Sequence, residues 1–139
     1  MKPLLYWFSV VVLTSQSAIA GQWIEGRVTH VRDIDTIEVN NLPVRLQGLD
    51  GPELNERGGR EGKRWMTRLI LRKPVKCWLT GEKTHDRWVG QCFDTSENDL
   101  AALAVAAGLA RDCPRFSGGR YRQFETYESR RLPSKSYCR

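Results

Sequence analysis

The stretch Asp33–Glu53 gathers the side chains best suited to chemistry: D-I-D-T-I-E-V-N-N-L-P-V-R-L-Q-G-L-D-G-P-E. Asp35 precedes a short apolar strand, Thr36–Val39, and Asn40-Asn41 reads as a turn. A second strand, Val44–Leu49, carries Arg45 and runs into Asp50-Gly51-Pro52-Glu53. If the two strands pair as a hairpin, Asp35, Asp50 and Glu53 return to one place with Arg45 beside them. Carboxylate oxygens suit a hard divalent cation, and a guanidinium fork suits a phosphate. Taken singly, acidic residues at strand ends are turn formers and solvated ends. Arg45, opposite in direction to Val44 and Leu46, fits a surface face. It is the set, at this spacing, that points to a site.

Asp33-Ile34-Asp35-Thr36 and Arg45-Leu46-Gln47-Gly48-Leu49-Asp50-Gly51-Pro52-Glu53 resemble the signature of the staphylococcal-nuclease (thermonuclease) family. Its pattern is roughly D-G-D-T followed by R-L-x-x-[IV]-D-[AT]-P-E. The resemblance continues weakly through Gly108-Leu109-Ala110, and so covers nearly all of the chain after residue 20. It implies a calcium site made by the carboxylates of Asp35 and Asp50 and the carbonyl of Gly51. It implies that Glu53 is the general base and that Arg45 is the first of two phosphate-binding arginines. The second arginine lies, in that family, in a loop reading about D-x-Y-G-R before the last strand. Here the segment is Thr84-His85-Asp86-Arg87-Trp88-Val89-Gly90-Gln91-Cys92. Anchoring on Asp86 places Gln91 near that position; anchoring on the strand places Arg87 there. Arg87 is preferred, because a strand fixes side-chain direction and loops absorb deletions.

Two departures from the pattern bear on the metal turn. Gly51 stands where the family has Thr or Ala, which a carbonyl ligand tolerates. Ile34 stands where the family has Gly; if that Gly serves for positive φ, a β-branched residue there is strained. Trp88, Phe116 and Tyr121 are candidates for stacking on unpaired bases, although aromatic residues more often belong to the core. His85 is a candidate acid or ligand, although a lone loop histidine is usually neither; Lys63, Arg64 and Arg68 suit a nucleic-acid backbone and a solvated helix face equally well.

Five strands and about three helices must position these groups. Trp23–Val31 alternates as a first strand, curved at Gly26. The two strands of the opening segment follow, then a glycine-rich charged loop over residues 55–62. Lys63–Leu71 reads as an amphipathic helix. Val75–Leu79 and Trp88–Phe93 are two further strands, joined by a polar stretch over 80–87. Asp99–Ala107 is an alanine-rich helix stopped by Gly108, and Tyr121–Arg131 reads as a third helix. The count permits an α+β fold built on a small OB-type barrel, and the resemblance implies one.

Met1–Ala20 reads as a secretory signal peptide: Lys2, an apolar run from Leu4 to Leu13, and Ala18-Ile19-Ala20 as the cleavage signal. The run is about half the roughly 20 residues a spanning helix needs. Cleavage would take 20 of the 139 residues and leave 119, enough for a single domain, 21–139. It also removes one positive charge, taking the formal net charge from +6 to +5. A basic surface attracts polyanions. Cys77, Cys92, Cys113 and Cys138 form an even set in a chain that reads as exported, so disulfides are expected. Of the three pairings, Cys77–Cys92 is preferred because both lie in neighbouring strands, leaving Cys113–Cys138 to tie down the tail.

These readings converge on a secreted or periplasmic, calcium-dependent nuclease acting on DNA, with RNA as a second candidate substrate. A monomer without stable membrane association is expected. Two alternatives stand beside it: a non-catalytic OB-type module that binds nucleic acid or protein, and a small disulfide-bonded structural domain of the cell envelope.

Overall fold

Asn40 and Asn41 both adopt the left-handed conformation, at φ 47° and 65°. That geometry turns a chain by two residues between strands of right-handed twist, and asparagine tolerates it best after glycine. It joins β2 (Thr36–Val39) to β3 (Leu42–Leu46), with Val39 opposite Leu42 and Thr36 opposite Arg45. The computed structural model describes residues 21–139; the signal-peptide reading of Met1–Ala20 lies outside the described residues.

The architecture is α+β, with a closed five-stranded barrel at its centre, as expected. Two shorter strands are β4 (Leu49–Asp50) and β7 (Arg111–Asp112), which pair only with each other. The remaining strands are β1 (Gln22–Asp33), β5 (Pro74–Thr84) and β6 (Arg87–Phe93). The barrel runs β1-β2-β3-β6-β5 and closes on itself. Only the β3–β6 pairing is parallel. β1 serves two neighbours: residues 22–27 pair with β5, and residues from Val28 onward pair with β2. Gly26 lies at the changeover, where the Asn40 amide occupies the space a Cβ would need. Val28, Ile37, Val44, Leu46 and Leu79 fill the interior.

Helix α1 (Gly59–Ile70) packs on β1, burying Gly59, Gly62, Met66 and Ile70 along one face. It starts four residues before the expected Lys63. The glycines that read as a loop are contact positions: a Cβ on Gly59 would overlap the Glu53 carbonyl, and one on Gly62 would lie 2.9 Å from Ile34. Helix α2 (Leu100–Ala106) is capped by the Asp99 carboxylate, which accepts from the amides of Ala101 and Ala102. Gly108 follows it at φ 76°.

Three other expectations are corrected. The strand placed over Val44–Leu49 stops at Leu46; Gly48, at φ 76°, turns the chain, and Leu49-Asp50 pairs elsewhere. The polar stretch over 80–87 is mostly ladder, because β5 and β6 extend to a two-residue turn with His85 at φ 57°. The helix placed over Tyr121–Arg131 is broken in two. A short 3₁₀ turn covers Arg122–Phe124, Glu125 is extended, and α4 (Tyr127–Arg130) begins afresh at a Thr126–Ser129 capping box. A further one-turn helix, α3 (Pro114–Ser117), follows β7.

Both disulfides match the preferred pairing. Cys77 and Cys92 face each other across β5 and β6. Cys113 and Cys138 tie the tail to the start of α3. Among the described residues, no helix is long and apolar enough to cross a membrane.

Candidate active site

The β2–β3 register sets the site. Arg45 sits opposite Thr36, and Asp35 directly precedes Thr36. The Arg45 guanidinium therefore reaches Asp35, at 3.1 Å from Nη2 to Oδ2. It also donates to the carbonyls of Leu46 and Leu49, at 3.1 and 3.0 Å. Those bonds hold the turn from β3 to β4 against the same side chain. Arg87 opens β6, the parallel neighbour of β3, and donates to the Thr36 hydroxyl at 3.0 Å. Thr36 in turn donates to Asp35 Oδ1 at 2.9 Å. Arg45 thus meets Asp35 directly, and Arg87 reaches the same carboxylate through Thr36.

Arg45, Arg87 and Glu53 line a single cleft of about 530 Å³, a size that suits a nucleotide-sized ligand. Gln91, the other candidate for the second arginine position, donates to Asp99 instead and does not line it. Phe116 and Tyr137 stand at the same cleft, ring centroids 6.3 Å apart, and remain 48% and 45% exposed. The other aromatic candidates are placed differently. Tyr121 is buried, its hydroxyl donates to Asp99, and the Arg120 guanidinium covers its ring. Burial and the neighbouring Asp99 charge push that phenol up. It has no free face for a base. Trp88 is half-buried beneath the Lys83 ammonium and is not among the cleft residues.

The carboxylates separate rather than converge on one point. Among the described residues, no three His, Cys, Asp or Glu side chains gather as a metal cluster. Asp35 is 6% exposed, and burial pushes its carboxyl up to about 7 against the opposing pull of Arg45. Its Oδ2 lies 3.4 Å from where a Cβ on Gly51 would stand, so Asp35 and the Gly51 backbone are neighbours. Asp50 is 1% exposed. Burial raises its carboxyl too, opposed by the Lys135 amide and the Ser134 side chain. Its Oδ2 accepts from the Lys135 amide at 3.0 Å, while Oδ1 is buried with no hydrogen-bond partner. A buried carboxylate oxygen left unpaired is costly, and a hard cation is the partner such oxygens take. Two buried carboxylates, one with an orphan oxygen, are hard oxygen donors of the kind calcium takes, and the Gly51 backbone lies next to one of them.

Glu53 is turned to the tail. Its carboxylate lies 3.5 Å from the Lys135 ammonium, and its amide donates to Glu56 at 2.8 Å. Lys135 also pairs with Glu56 at 2.9 Å. Burial alone would lower the Lys135 ammonium; Glu56 and Glu53 outweigh it and hold it above its ordinary range. Lys135, Glu56 and Tyr137 are site neighbours that sequence reading passed over. The one signal for them is Cys138, whose pairing brings the tail here.

A small α+β protein with a closed barrel and a cleft of two arginines and a carboxylate is the class these features define. No family model matches the sequence. The chain is 30% identical over 112 residues to the succinoglycan biosynthesis protein ExoI of Rhizobium meliloti (strain 1021), an alignment covering 73% of this chain and 58% of that protein. It is 32% identical over 91 residues to an uncharacterized endonuclease of Escherichia coli O157:H7, covering 63% and 60%. An uncharacterized endonuclease of Escherichia coli matches with the same identity and coverage. The chain therefore spans less than two thirds of the length of these relatives.

Proposed function

We propose that this protein is a calcium-dependent nuclease of the staphylococcal-nuclease type, cleaving phosphodiester bonds of DNA, and of RNA as well, with little sequence preference. The observation that carries this reading is the shared cleft of Arg45, Arg87 and Glu53, with the buried Asp35 paired to Arg45. The distant similarity to proteins named endonucleases supports it.

Each group has a role that suits its chemistry. Arg45 and Arg87 bind the phosphate and offset the charge that builds on its oxygens as the bond is made. Glu53 orients the attacking water and accepts its proton. Phe116 and Tyr137 offer exposed ring faces for unpaired bases. Asp35, Asp50 and the Gly51 carbonyl would hold the calcium ion. When bound, that ion supplies Lewis-acid neutralisation of the phosphate.

The two disulfides support a place in an oxidising compartment, the periplasm or the extracellular space. The basic charge supports a polyanionic substrate and a monomer that stays in solution.

The test is incubation of purified protein with linear DNA, with calcium and with chelator. Cleavage with calcium, none with chelator, and none by Glu53→Gln supports the reading. DNA binding without cleavage would favour a non-catalytic module. Neither binding nor cleavage would favour a structural domain.

A further inference from the structure

The tail after Pro133 is more than a surface strap. Among the described residues, Lys135 alone reaches all three acidic residues of the segment from Asp50 to Glu56. Its main-chain N–H holds Asp50 Oδ2 at 3.0 Å. Its ammonium bridges Glu56 at 2.9 Å and Glu53 at 3.5 Å, and its side chain is only 17% exposed. Glu56 closes the ring by accepting the Glu53 amide. This reach depends on the Cys113–Cys138 disulfide, which fixes the chain three residues beyond Lys135.

The two arms do different things. A carboxylate whose one oxygen accepts a fixed N–H cannot swing, so the other oxygen is presented in one direction. In Asp50 that other oxygen is the orphan Oδ1. Hydrogen bonds of this kind orient metal ligands in general. Glu53 is otherwise a half-exposed side chain on a loop, 56% accessible, with several rotamers open to it. An ammonium held by Glu56 narrows them, and pre-organisation of that kind lowers the barrier more than it tightens binding.

We propose that Lys135 is a positioning residue of the nuclease site, orienting Asp50 through its amide and Glu53 through its ammonium. The inference rests on the nuclease reading. It touches no reacting atom: Lys135 acts through the two carboxylates.

Wild type, Lys135→Ala, Lys135→Arg, Lys135→Pro and Glu53→Gln separate the two arms. kcat and KM are measured on a short DNA with calcium, calcium affinity by calorimetry, and folding by thermal melts. Lys135→Ala keeps the amide and loses the ammonium; kcat should fall about tenfold, with KM within about twofold and calcium affinity at the wild-type value. Lys135→Arg should recover most of that loss. Lys135→Pro suits the observed φ of −67° but removes the N–H as well. It should weaken calcium binding about tenfold below Lys135→Ala. Wild-type kcat in Lys135→Ala, beside an inactive Glu53→Gln, would overturn the ammonium arm and leave the nuclease reading standing. Equal calcium affinity in the Ala and Pro variants would overturn the amide arm. A wild type that binds no calcium and cleaves no DNA would remove the nuclease reading itself.

Discussion

Ile34 and Gly51 share one space: a Cβ on Gly51 would overlap Ile34 Cγ2. Both positions depart from the family pattern the sequence resembles, and the departures compensate each other. A larger residue in the turn before Asp35 is matched by a smaller one after Asp50. The strain anticipated at Ile34 does not arise, since it is not among the residues with positive φ, and its side chain is fully buried. Gly51→Ala should therefore destabilise the protein by about 1–3 kcal/mol through overpacking. Ile34→Ala should cost about 2–4 kcal/mol through the cavity it leaves. The double variant should cost less than the sum, with a coupling of about 1 kcal/mol or more, as read by urea denaturation. Strict additivity would mean that the two side-chain positions do not compete.

Asp35 should give the protein without calcium an unusual pH response. Its folded-state carboxyl titrates at about 7 because it is buried, against about 3.9 in an unfolded chain. Between those values the folded state holds a proton that the unfolded chain has lost. Stability in chelator should thus fall as pH rises from about 4 to about 7. Asp35→Asn should flatten that slope and raise stability at neutral pH, while losing cleavage. Denaturation midpoints at several pH values decide it; a midpoint that climbs across this window in the wild type would contradict the assignment.

What the sequence disclosed, and what it hid, follows from the range of the interactions. The barrel was legible because the alternation in Trp23–Val31, the short apolar strand Thr36–Val39 and the Asn40-Asn41 turn are local signals. The disulfide partners were legible because Cys77 and Cys92 lie in strands that had to be neighbours. The start of α1 was hidden, since Gly59 and Gly62 reveal their purpose only against Glu53 and Ile34. Lys135 was hidden for the same reason: it lies 85 residues from Asp50 in the chain, and a lone lysine in a polar tail carries no periodicity. Tyr121 was a stacking candidate by residue type alone; its burial is set by the Asp99 carboxylate its hydroxyl meets, 22 residues away in the chain, and by Arg120 over its ring.

The two disulfides should differ in function more than in stability. The residues they join are 15 and 25 apart, and loop-closure entropy gives about 3 and about 3.5 kcal/mol for such loops. Replacing Cys113 and Cys138 by Ser frees the tail that bears Lys135 and Tyr137. Replacing Cys77 and Cys92 alters the barrel wall but leaves those contacts tied. The first pair of substitutions should lower kcat well beyond the second when both are assayed below their melting temperatures. Equal activity of the two would argue that the tail has no part in the site.

Arg45 and Arg87 should be separable by stability although both bind phosphate. Arg45 is the counter-charge of a carboxylate only 8% accessible. Arg45→Ala removes the pull that holds the Asp35 carboxyl down, so the cost of a buried charge left alone should approach about 3–5 kcal/mol only well above pH 7. The cost should shrink at pH 5, where Asp35 escapes by taking a proton. Arg87 bonds a hydroxyl and, at 3.4 Å, a carbonyl, and it balances no buried charge. Arg87→Ala should cost roughly 1 kcal/mol or less, with little pH dependence. Both substitutions should lower kcat by about 10²–10³-fold if each stabilises charge on the reacting phosphate. Lysine should rescue neither, because a point charge cannot replace a planar fork that meets two oxygens at once. A stable, fully active Arg87→Ala would confine phosphate recognition to Arg45, and the Arg87–Thr36 bond would then serve only to brace β2 against β6.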